Sequence, residues 1–248
     1  MAGLPRRAHN SRMRSLAALV VVAALLLTSS ARAQPPDAAL LARLAAHATA
    51  IEKMRTHASY ALEGELDSLD SDGNVEGIKK MTARIVADGE RSRLVVVKCT
   101  DDGKDTTDEA RKRAKAGNDR TKEQRAKEHL EMPFEADVQP RYVFDQVAVD
   151  AADPSRVRIA FVPREPNEHT SEGSVWVDTK TATFLSAAFK LSKPGWFVDY
   201  VHLTLVFGAD TPLGPAISKV TVDGKGGILF FRKHFRGEAT LSDYRLLP

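Results

Sequence analysis

The side chains most often used in catalysis are few and scattered in this 248-residue sequence. Its one cysteine, Cys99, follows the apolar run Leu94–Lys98, and no histidine stands near it in the sequence. A reactive thiolate needs a basic or electropositive neighbour, so the sequence predicts a buried, unreactive thiol. A single cysteine also cannot form a disulfide within the chain.

The histidines do not show the spacing of a metal site. Motifs such as HExxH and CxxC are absent, and so is the GxSxG turn that presents a nucleophilic serine. We therefore expect no catalytic residue, no metal and no cofactor. Aspartate and glutamate are numerous enough for a carboxylate pair to meet in the fold, which keeps an enzyme as a third hypothesis. The histidines considered are His47, His57, His129, His169, His202 and His234.

Aromatic side chains offer a different kind of site, because they recur along neighbouring segments of the second half of the chain. Phe230 and Phe231 are adjacent, so in a strand they must point to opposite faces. Two interpretations stay open: an ordinary core, or apolar space between a sheet and a covering helix that accepts a lipid chain. The candidates for lining such a cavity are Phe184, Phe189, Trp176, Trp196, Phe197, Phe207, Phe230 and Phe231.

Residues 1–33 have the three parts of a secretory signal. Arginines without any acidic residue come first, the unbroken apolar run Leu16–Leu27 follows, and Ala31-Arg32-Ala33 supplies the small residues of a cleavage site. A membrane-spanning helix needs about 20 apolar residues, and this run is shorter. We expect export to a bacterial periplasm, cleavage after Ala33, and a single mature domain, 34–248, that is not an integral membrane protein.

The charge of the chain divides unevenly at this boundary. The whole sequence has 36 basic and 33 acidic residues, a net charge of +3. Five of the arginines and none of the acids lie in residues 1–33, so 34–248 has 31 basic and 33 acidic residues, a net charge of −2. The basic excess therefore belongs to the leader, and nucleic acid is not an expected partner.

One helix and a long series of strands must position the candidate side chains. Asp37–His57 is predicted to be an amphipathic helix capped by Asp37, with an apolar stripe that needs a partner surface. The strands recur about every ten residues between polar turns, which is typical of a curved antiparallel sheet. Gly224–Gly227 is predicted to be a hairpin turn. The predicted strands are Ser59–Leu69, Lys79–Ala87, Ser92–Thr100, Arg141–Val149, Arg156–Val162, Gly173–Asp178, Ala182–Leu191, Trp196–Phe207, Ala216–Asp223, Ile228–Phe235 and Glu238–Leu246.

The segment Asp101–Glu131 differs from the rest, with nine acidic and nine basic residues and almost no large apolar side chain. Thr106 and Glu109 have the spacing of a capping box, and opposite charges recur at helical intervals. We predict a solvated helix inserted between strands, ending before Met132.

These elements and two short motifs resemble the LolA/LolB-like outer-membrane lipoprotein-sorting family. Gly173-Ser174-Val175-Trp176-Val177-Asp178 followed by Thr181 resembles a G-x-x-W-x-D-x-x-T strand and turn, and Glu238–Arg245 resembles the closing strand of these sheets. The resemblance implies a mainly β (α+β) fold. In it a curved antiparallel sheet forms an incomplete β-barrel, covered by the N-terminal helix and the charged inserted helix around an apolar cavity for acyl chains. The charged segment 101–131 departs from the family pattern, and a Pro-x-x-x-Arg signature is missing.

Two functions follow as expectations. The first is a periplasmic, non-enzymatic carrier that shelters lipid or lipoprotein acyl chains in an apolar cavity. The second is an envelope protein–protein interaction or sensor module of the same fold, with the charged helix as its docking surface. A void lined by Leu, Val and Phe between the helix and the sheet favours carriage, whereas a filled core favours the module.

Overall fold

The computed structural model describes residues 34–89, 91–121, 130–195, 198–228 and 231–247. They form two α-helices, one short 3₁₀ turn and eleven strands. No helix among these residues is long and apolar enough to span a bilayer. The elements are α1 (Ala38–His57), β1 (Ala58–Leu69), β2 (Val75–Ala87), β3 (Ser92–Asp101), β4 (Lys104–Asp105), α2 (Thr107–Asn118), the 3₁₀ turn Gln139–Arg141, β5 (Tyr142–Val149), β6 (Arg156–Pro163), β7 (Ser171–Asp178), β8 (Thr183–Leu191), β9 (Val198–Ala209), β10 (Ala216–Ile228) and β11 (Phe231–Leu246).

All eleven strands belong to one antiparallel sheet in the order β4-β3-β2-β1-β11-β10-β9-β8-β7-β6-β5. From β1 in the middle of the sheet the chain runs outward to β4 at one edge. It then crosses to β5 at the other edge and returns strand by strand to β11, which pairs with β1. Several register shifts interrupt the ladders, and such bulges bend and twist strands. The prediction of a mainly β, open and curved sheet covered by helices is confirmed.

Helix α1 begins where the sequence predicts, because the Asp37 side chain accepts a hydrogen bond of 3.0 Å from the Ala39 N–H. Its stripe of Leu40, Leu44 and Ala48 packs on one face of β5–β9, which we call the inner face. The helix ends at His57 and β1 follows without a loop. The inner face of β5–β9 therefore carries the main core, with Ile159 and Val177 fully buried.

The charged segment contains a helix shorter than predicted, preceded by the two-residue strand β4. Residues 122–129 lie outside the described residues. The capping-box prediction is wrong: the Thr106 side chain makes no capping hydrogen bond, and the Thr107 N–H donates instead to Asp105 at 2.8 Å. Thr107 also exchanges hydrogen bonds with the backbone of Cys99, whose side chain is buried as predicted. Helix α2 is thus fastened to β3 at its first residue.

The hairpin turn predicted at Gly224–Gly227 is also wrong, because these residues continue β10. Gly224 pairs with Phe235, and a Cβ at Gly224 would lie 2.5 Å from the tip of the Phe235 ring. Glycine is present here to admit a neighbouring ring rather than to turn the chain. Likewise Gly237 pairs with Leu66 and Val222 within β11, so the two strands predicted for this region are one.

Candidate functional site

A narrow apolar cavity lies between α1, residues 130–134 and the inner face of β6–β9. The space inside it that is open to a water-sized sphere is about 40 Å³, and the exposed surface of its walls is apolar. That is room for a few small atoms and not for a drug-sized ligand, which occupies about 300–1,000 Å³. The residues around this inner cavity are Ala48, Ile51, Leu130, Glu131, Met132, Pro133, Phe134, Phe161, Ser171, Val175, Phe184, Ala187, Phe189, Leu205 and Phe207.

A wider groove continues from the inner cavity along the C-terminal half of α1. Its volume is about 350 Å³, within the range of ligand pockets. The two spaces share Ala48, Ile51, Leu130, Met132 and Leu205, so they adjoin one another. The other residues around this outer groove are Glu52, Met54, Arg55, Tyr60, Glu135, Ala216, Ile217, Leu241 and Tyr244.

Packed aromatic rings make the inner cavity narrow. The Phe134 ring centroid lies 5.0 Å from that of Phe144, 5.8 Å from that of Phe161 and 5.2 Å from that of Phe184. Phe184 in turn lies 5.6 Å from Phe207. These are favourable tilted and edge-to-face contacts. The deep end of the space is therefore a nearly closed core, while the outer groove stays open.

A buried histidine ties α1 to the sheet. The Phe184 N–H donates to His47 Nδ1 at 3.1 Å, and His47 Nε2 lies 3.1 Å from the Pro215 carbonyl oxygen. Because Nδ1 accepts, the proton of the neutral ring is on Nε2 and is donated to Pro215. Burial lowers the pKa of His47, although the hydrogen bond to Pro215 raises it in part. The folded protein therefore stabilises the neutral form of the His47 imidazole.

Further hydrogen bonds fix the N-terminal half of α1. Arg43 donates to the Thr179 and Lys180 carbonyl oxygens at 3.1 and 2.6 Å. The Gln139 side-chain amide donates to the Leu41 and Phe134 carbonyl oxygens at 2.9 and 3.1 Å. These long-range contacts hold the helix against the cavity wall.

Two tyrosines from different strands form part of the groove wall. The rings of Tyr60 and Tyr244 stack with centroids 4.7 Å apart, and the Tyr244 hydroxyl donates to the Ile217 carbonyl oxygen at 2.6 Å. Burial raises the pKa of both hydroxyls. They stay neutral and leave the groove wall uncharged on this side.

One charged side chain, Glu131, lines the inner cavity. Its Oε1 accepts from Arg141 Nη1 at 2.5 Å, and its backbone N–H donates to the His169 carbonyl oxygen at 2.8 Å. Its Oε2 is fully buried and has no hydrogen-bond partner among the described residues. The exposed walls of the cavity nevertheless stay apolar, because this oxygen shows no surface to it.

The aromatic candidates from the sequence fall in different places. Phe184, Phe189 and Phe207 line the inner cavity. Trp176 instead lies on the opposite, outer face of β7, because its neighbours Val175 and Val177 are buried in the core, and the Arg158 guanidinium lies 5.9 Å from its ring centroid. Trp196, Phe197 and Phe230 lie outside the described residues, and Phe231 begins β11 with a side chain that is not described.

Sequence reasoning missed the residues that come from α1 and from the end of the charged segment. Ile51 and Ala48 belong to the apolar stripe of the helix, which indicated a packing surface without saying that a cavity lies under it. Leu130 and Met132 stand at the end of the charged segment, where the surrounding charges predict exposed rather than cavity-lining side chains. Phe134 also follows this charged run. The sequence pattern that could have indicated it is the short apolar cluster Met132-Pro133-Phe134 directly after the charges.

A polar cluster outside the cavity was also not predicted. On the outer face of β9–β11 the Tyr200 hydroxyl lies 3.2 Å from Asp223 Oδ1 and 3.1 Å from His234 Nε2. His234 and Asp223 are 3.3 Å apart. No group of three metal-ligating side chains occurs within the described ranges. This cluster faces away from the apolar space and takes no part in it.

The chain is similar to several solved structures, all at low identity. One is a LolA superfamily protein from Nitrosomonas europaea, 9% identical, with a TM-score of 0.35, covering 82% of this chain and 94% of that one. Another is a putative outer membrane lipoprotein-sorting protein domain from Vibrio parahaemolyticus, 11% identical, with a TM-score of 0.39, covering 83% and 91%. A third is the MucA/MucB complex of Pseudomonas aeruginosa, 13% identical, with a TM-score of 0.26, covering 85% and 100%. Proteins of the LolA superfamily are thus among the similar structures.

Neither a protein-family model nor a curated protein matches the sequence.

Proposed function

We propose that this protein is a non-enzymatic binding protein of the bacterial periplasm that shelters an acyl chain of a lipid or lipoprotein. The observation that supports the proposal is the mainly apolar groove beside α1, which runs on into the aromatic cavity. The sequence of residues 1–33, with its basic start and short apolar run, supports export.

The dimensions suggest how a chain would be held. The outer groove is wide enough to receive one, whereas the inner cavity admits it only if aromatic side chains such as Phe134 and Phe184 change rotamer. Each buried methylene contributes about 0.8 kcal/mol, so eight contribute roughly 6 kcal/mol before the costs of association.

The test places a tryptophan at the junction of the two spaces. Ile51→Trp fills the region shared by cavity and groove, and Lys53→Trp is the control, because Lys53 is exposed on the same helix. Uptake of a fluorescent fatty-amide probe is expected for the native chain and for Lys53→Trp, with at least tenfold weaker binding for Ile51→Trp. Native mass spectrometry of protein isolated from a bacterial envelope would show the bound lipid directly.

Equal probe binding by the two tryptophan variants, or no binding by any form of the protein, would overturn the proposal. In the second case the hypothesis of a protein–protein interaction module would replace it, since the nearly filled inner cavity is also what such a module requires.

A further inference from the structure

Strand β3 lies beside one edge of the sheet, where its outer neighbour β4 is only two residues long. β4 pairs with Thr100 and Asp101, so within the described residues no strand pairs with the outer side of Leu94–Cys99. An open strand edge presents backbone N–H and C=O groups to which a strand of another molecule can add. The run Leu94–Val97 is aliphatic and mostly β-branched, which favours such pairing. This edge therefore needs protection.

Side chains of α2 occupy this edge in place of a strand. The Asn118 side-chain amide accepts a hydrogen bond from the Leu94 N–H at 3.0 Å and donates one to the Leu94 carbonyl oxygen at 3.0 Å. The Arg111 guanidinium donates to the Val96 and Val97 carbonyl oxygens at 3.2 and 3.1 Å. These hydrogen bonds go to the backbone groups that a neighbouring strand would use.

The start of α2 continues the same pattern. Thr107 Oγ1 accepts from the Cys99 N–H at 3.0 Å, and the Thr106 N–H donates to the Cys99 carbonyl oxygen at 2.9 Å. Thr107, Arg111 and Asn118 follow one another at steps of four and seven residues, which places them on one face of the helix. One face of α2 therefore covers the edge of β3.

α2 is held to the sheet by these polar contacts and by little apolar packing. Among its residues only Thr107 is buried, and none is an apolar residue larger than alanine. A space of about 370 Å³ with mainly apolar walls lies between the helix and β2–β3, and Met81, Val96 and Cys99 are among the residues that line it. Helices in proteins owe most of their stability to the packing of an apolar face. Opening of α2 away from β3 therefore requires less free energy than unfolding of the sheet.

We propose that α2 is a detachable cap that keeps the chain monomeric, and that the edge of β3, once uncovered, pairs with the same edge of a second copy. A second copy fits because two identical edges can pair about a two-fold axis. Val95 and Val97, which are 50% and 53% exposed, would then meet their counterparts in the other copy. The cations Arg93 and Lys98 flank this run and oppose the pairing, so charge protects the edge as well. This inference is independent of the proposed acyl-chain binding.

The experiment compares two double variants of α2. The uncapped variant, Arg111→Ala/Asn118→Ala, removes the side-chain hydrogen bonds to Leu94–Val97, whereas the control variant, Lys112→Ala/Lys115→Ala, changes two exposed side chains of the same helix. Their masses and that of the native protein are measured by sedimentation equilibrium over a wide range of concentration. A reductant prevents a disulfide through Cys99, and about 0.3 M salt screens the flanking cations.

The uncapped variant is expected to dimerise at least tenfold more tightly than the native protein and the control variant. Adding Val95→Lys/Val97→Lys to it is expected to restore the monomer, because like charges would then face each other across the new strand pair. Equal association of the uncapped and control variants overturns the inference. A dimer that persists with both lysines forms elsewhere on the surface and overturns it as well.

Two further measurements follow the helix itself. Cys99 is 3% exposed and lies under α2, so a thiol reagent is expected to label it at least tenfold faster in the uncapped variant than in the control variant. In the native protein, the Leu94 and Cys99 amides are expected to exchange with solvent at least tenfold faster than those of β1, which is paired on both sides.

Each measurement can contradict the proposal. Faster labelling of an uncapped variant that stays folded and monomeric overturns the pairing of edges. Unchanged labelling overturns the role of the Arg111 and Asn118 hydrogen bonds in holding α2. Amide exchange needs no variant to fold: if the Leu94 and Cys99 amides of the native protein exchange as slowly as those of β1, α2 does not detach and the proposal is wrong.

Discussion

The stability of the fold is expected to fall in mild acid because of His47. The folded protein holds this ring neutral, since Nδ1 accepts from Phe184 and only Nε2 can donate to Pro215. Burial lowers its pKa below the ordinary value of 6.5. As the pH falls through about 6.5, the unfolded chain takes up a proton that the folded chain does not, so the free energy of unfolding decreases. Above this range the contribution of His47 to stability is complete.

The size of the effect has an upper limit. One proton bound only by the unfolded chain gives a slope of at most about 1.4 kcal/mol per pH unit, which ends when the pH reaches the lower pKa of the folded state. Replacing the ring by leucine removes both hydrogen bonds and leaves the buried Phe184 N–H and the Pro215 carbonyl without these partners. His47→Leu is therefore expected to destabilise the fold by about 2–4 kcal/mol at neutral pH.

The assay is urea unfolding of the native protein and of His47→Leu at several pH values between about 8 and 5. The difference in the free energy of unfolding between the two isolates His47, because other titrating groups are common to both. It should shrink steadily below pH 6.5. His202→Leu, at an exposed histidine of β9, is the control and should change the free energy of unfolding only slightly. A His47→Leu difference that is independent of pH would refute the assignment of the neutral ring.

Two further predictions concern packing and capping. Gly224→Ala should destabilise the fold by about 1–3 kcal/mol, because its Cβ would lie 2.5 Å from the Phe235 ring, and adding Phe235→Leu to it should recover part of the loss. Gly117→Ala in α2, where a Cβ meets nothing within 4 Å, should instead leave the melting temperature unchanged or raised. Asp37→Ala should destabilise the fold by about 0.5–2 kcal/mol through loss of the cap of α1, measured by urea unfolding; a change no larger than that of Asp137→Ala, at an exposed site, would argue against the cap.

The sequence predicts the architecture well where the information is local. Alternation along Arg156–Val162 puts Val157, Ile159 and Phe161 on one face, and all three are buried in the core. The same alternation could have placed Trp176 on the outer face, opposite Val175 and Val177. The pairing of strands with one another cannot be predicted in this way. Gly224 could form a turn or make room for an aromatic ring, and the choice depends on Phe235. Only the register of β10 against β11 brings Phe235 beside it.

The candidate site was harder to predict because it depends on irregularities and on long-range contacts. Phe184 and Phe189 are five residues apart, an odd spacing that strict alternation assigns to opposite faces. A register shift between β7 and β8 changes the alternation between them, so both line the inner cavity. Glu131 is the last of eighteen charged residues, and nothing local distinguishes it from the solvated ones. Its position beside the cavity follows from contacts outside this segment, such as the ion pair with Arg141.

Helix α1 shows why a covering helix is not necessarily a movable one. Its apolar stripe suggests an element that rests on the sheet and could lift from it. The structure instead fixes it by Arg43 and His47 near its start and middle, and its last residue runs directly into β1. Lifting α1 would break these hydrogen bonds, of which the two of His47 are buried or partly buried and cost about 1–3 kcal/mol each. It would also strain the central strand pair β1–β11, because α1 continues directly into β1. An acyl chain of the kind proposed would therefore have to fit beside the helix, and the side chains of Ile51 and, in the inner cavity, Phe134 would set the room for it.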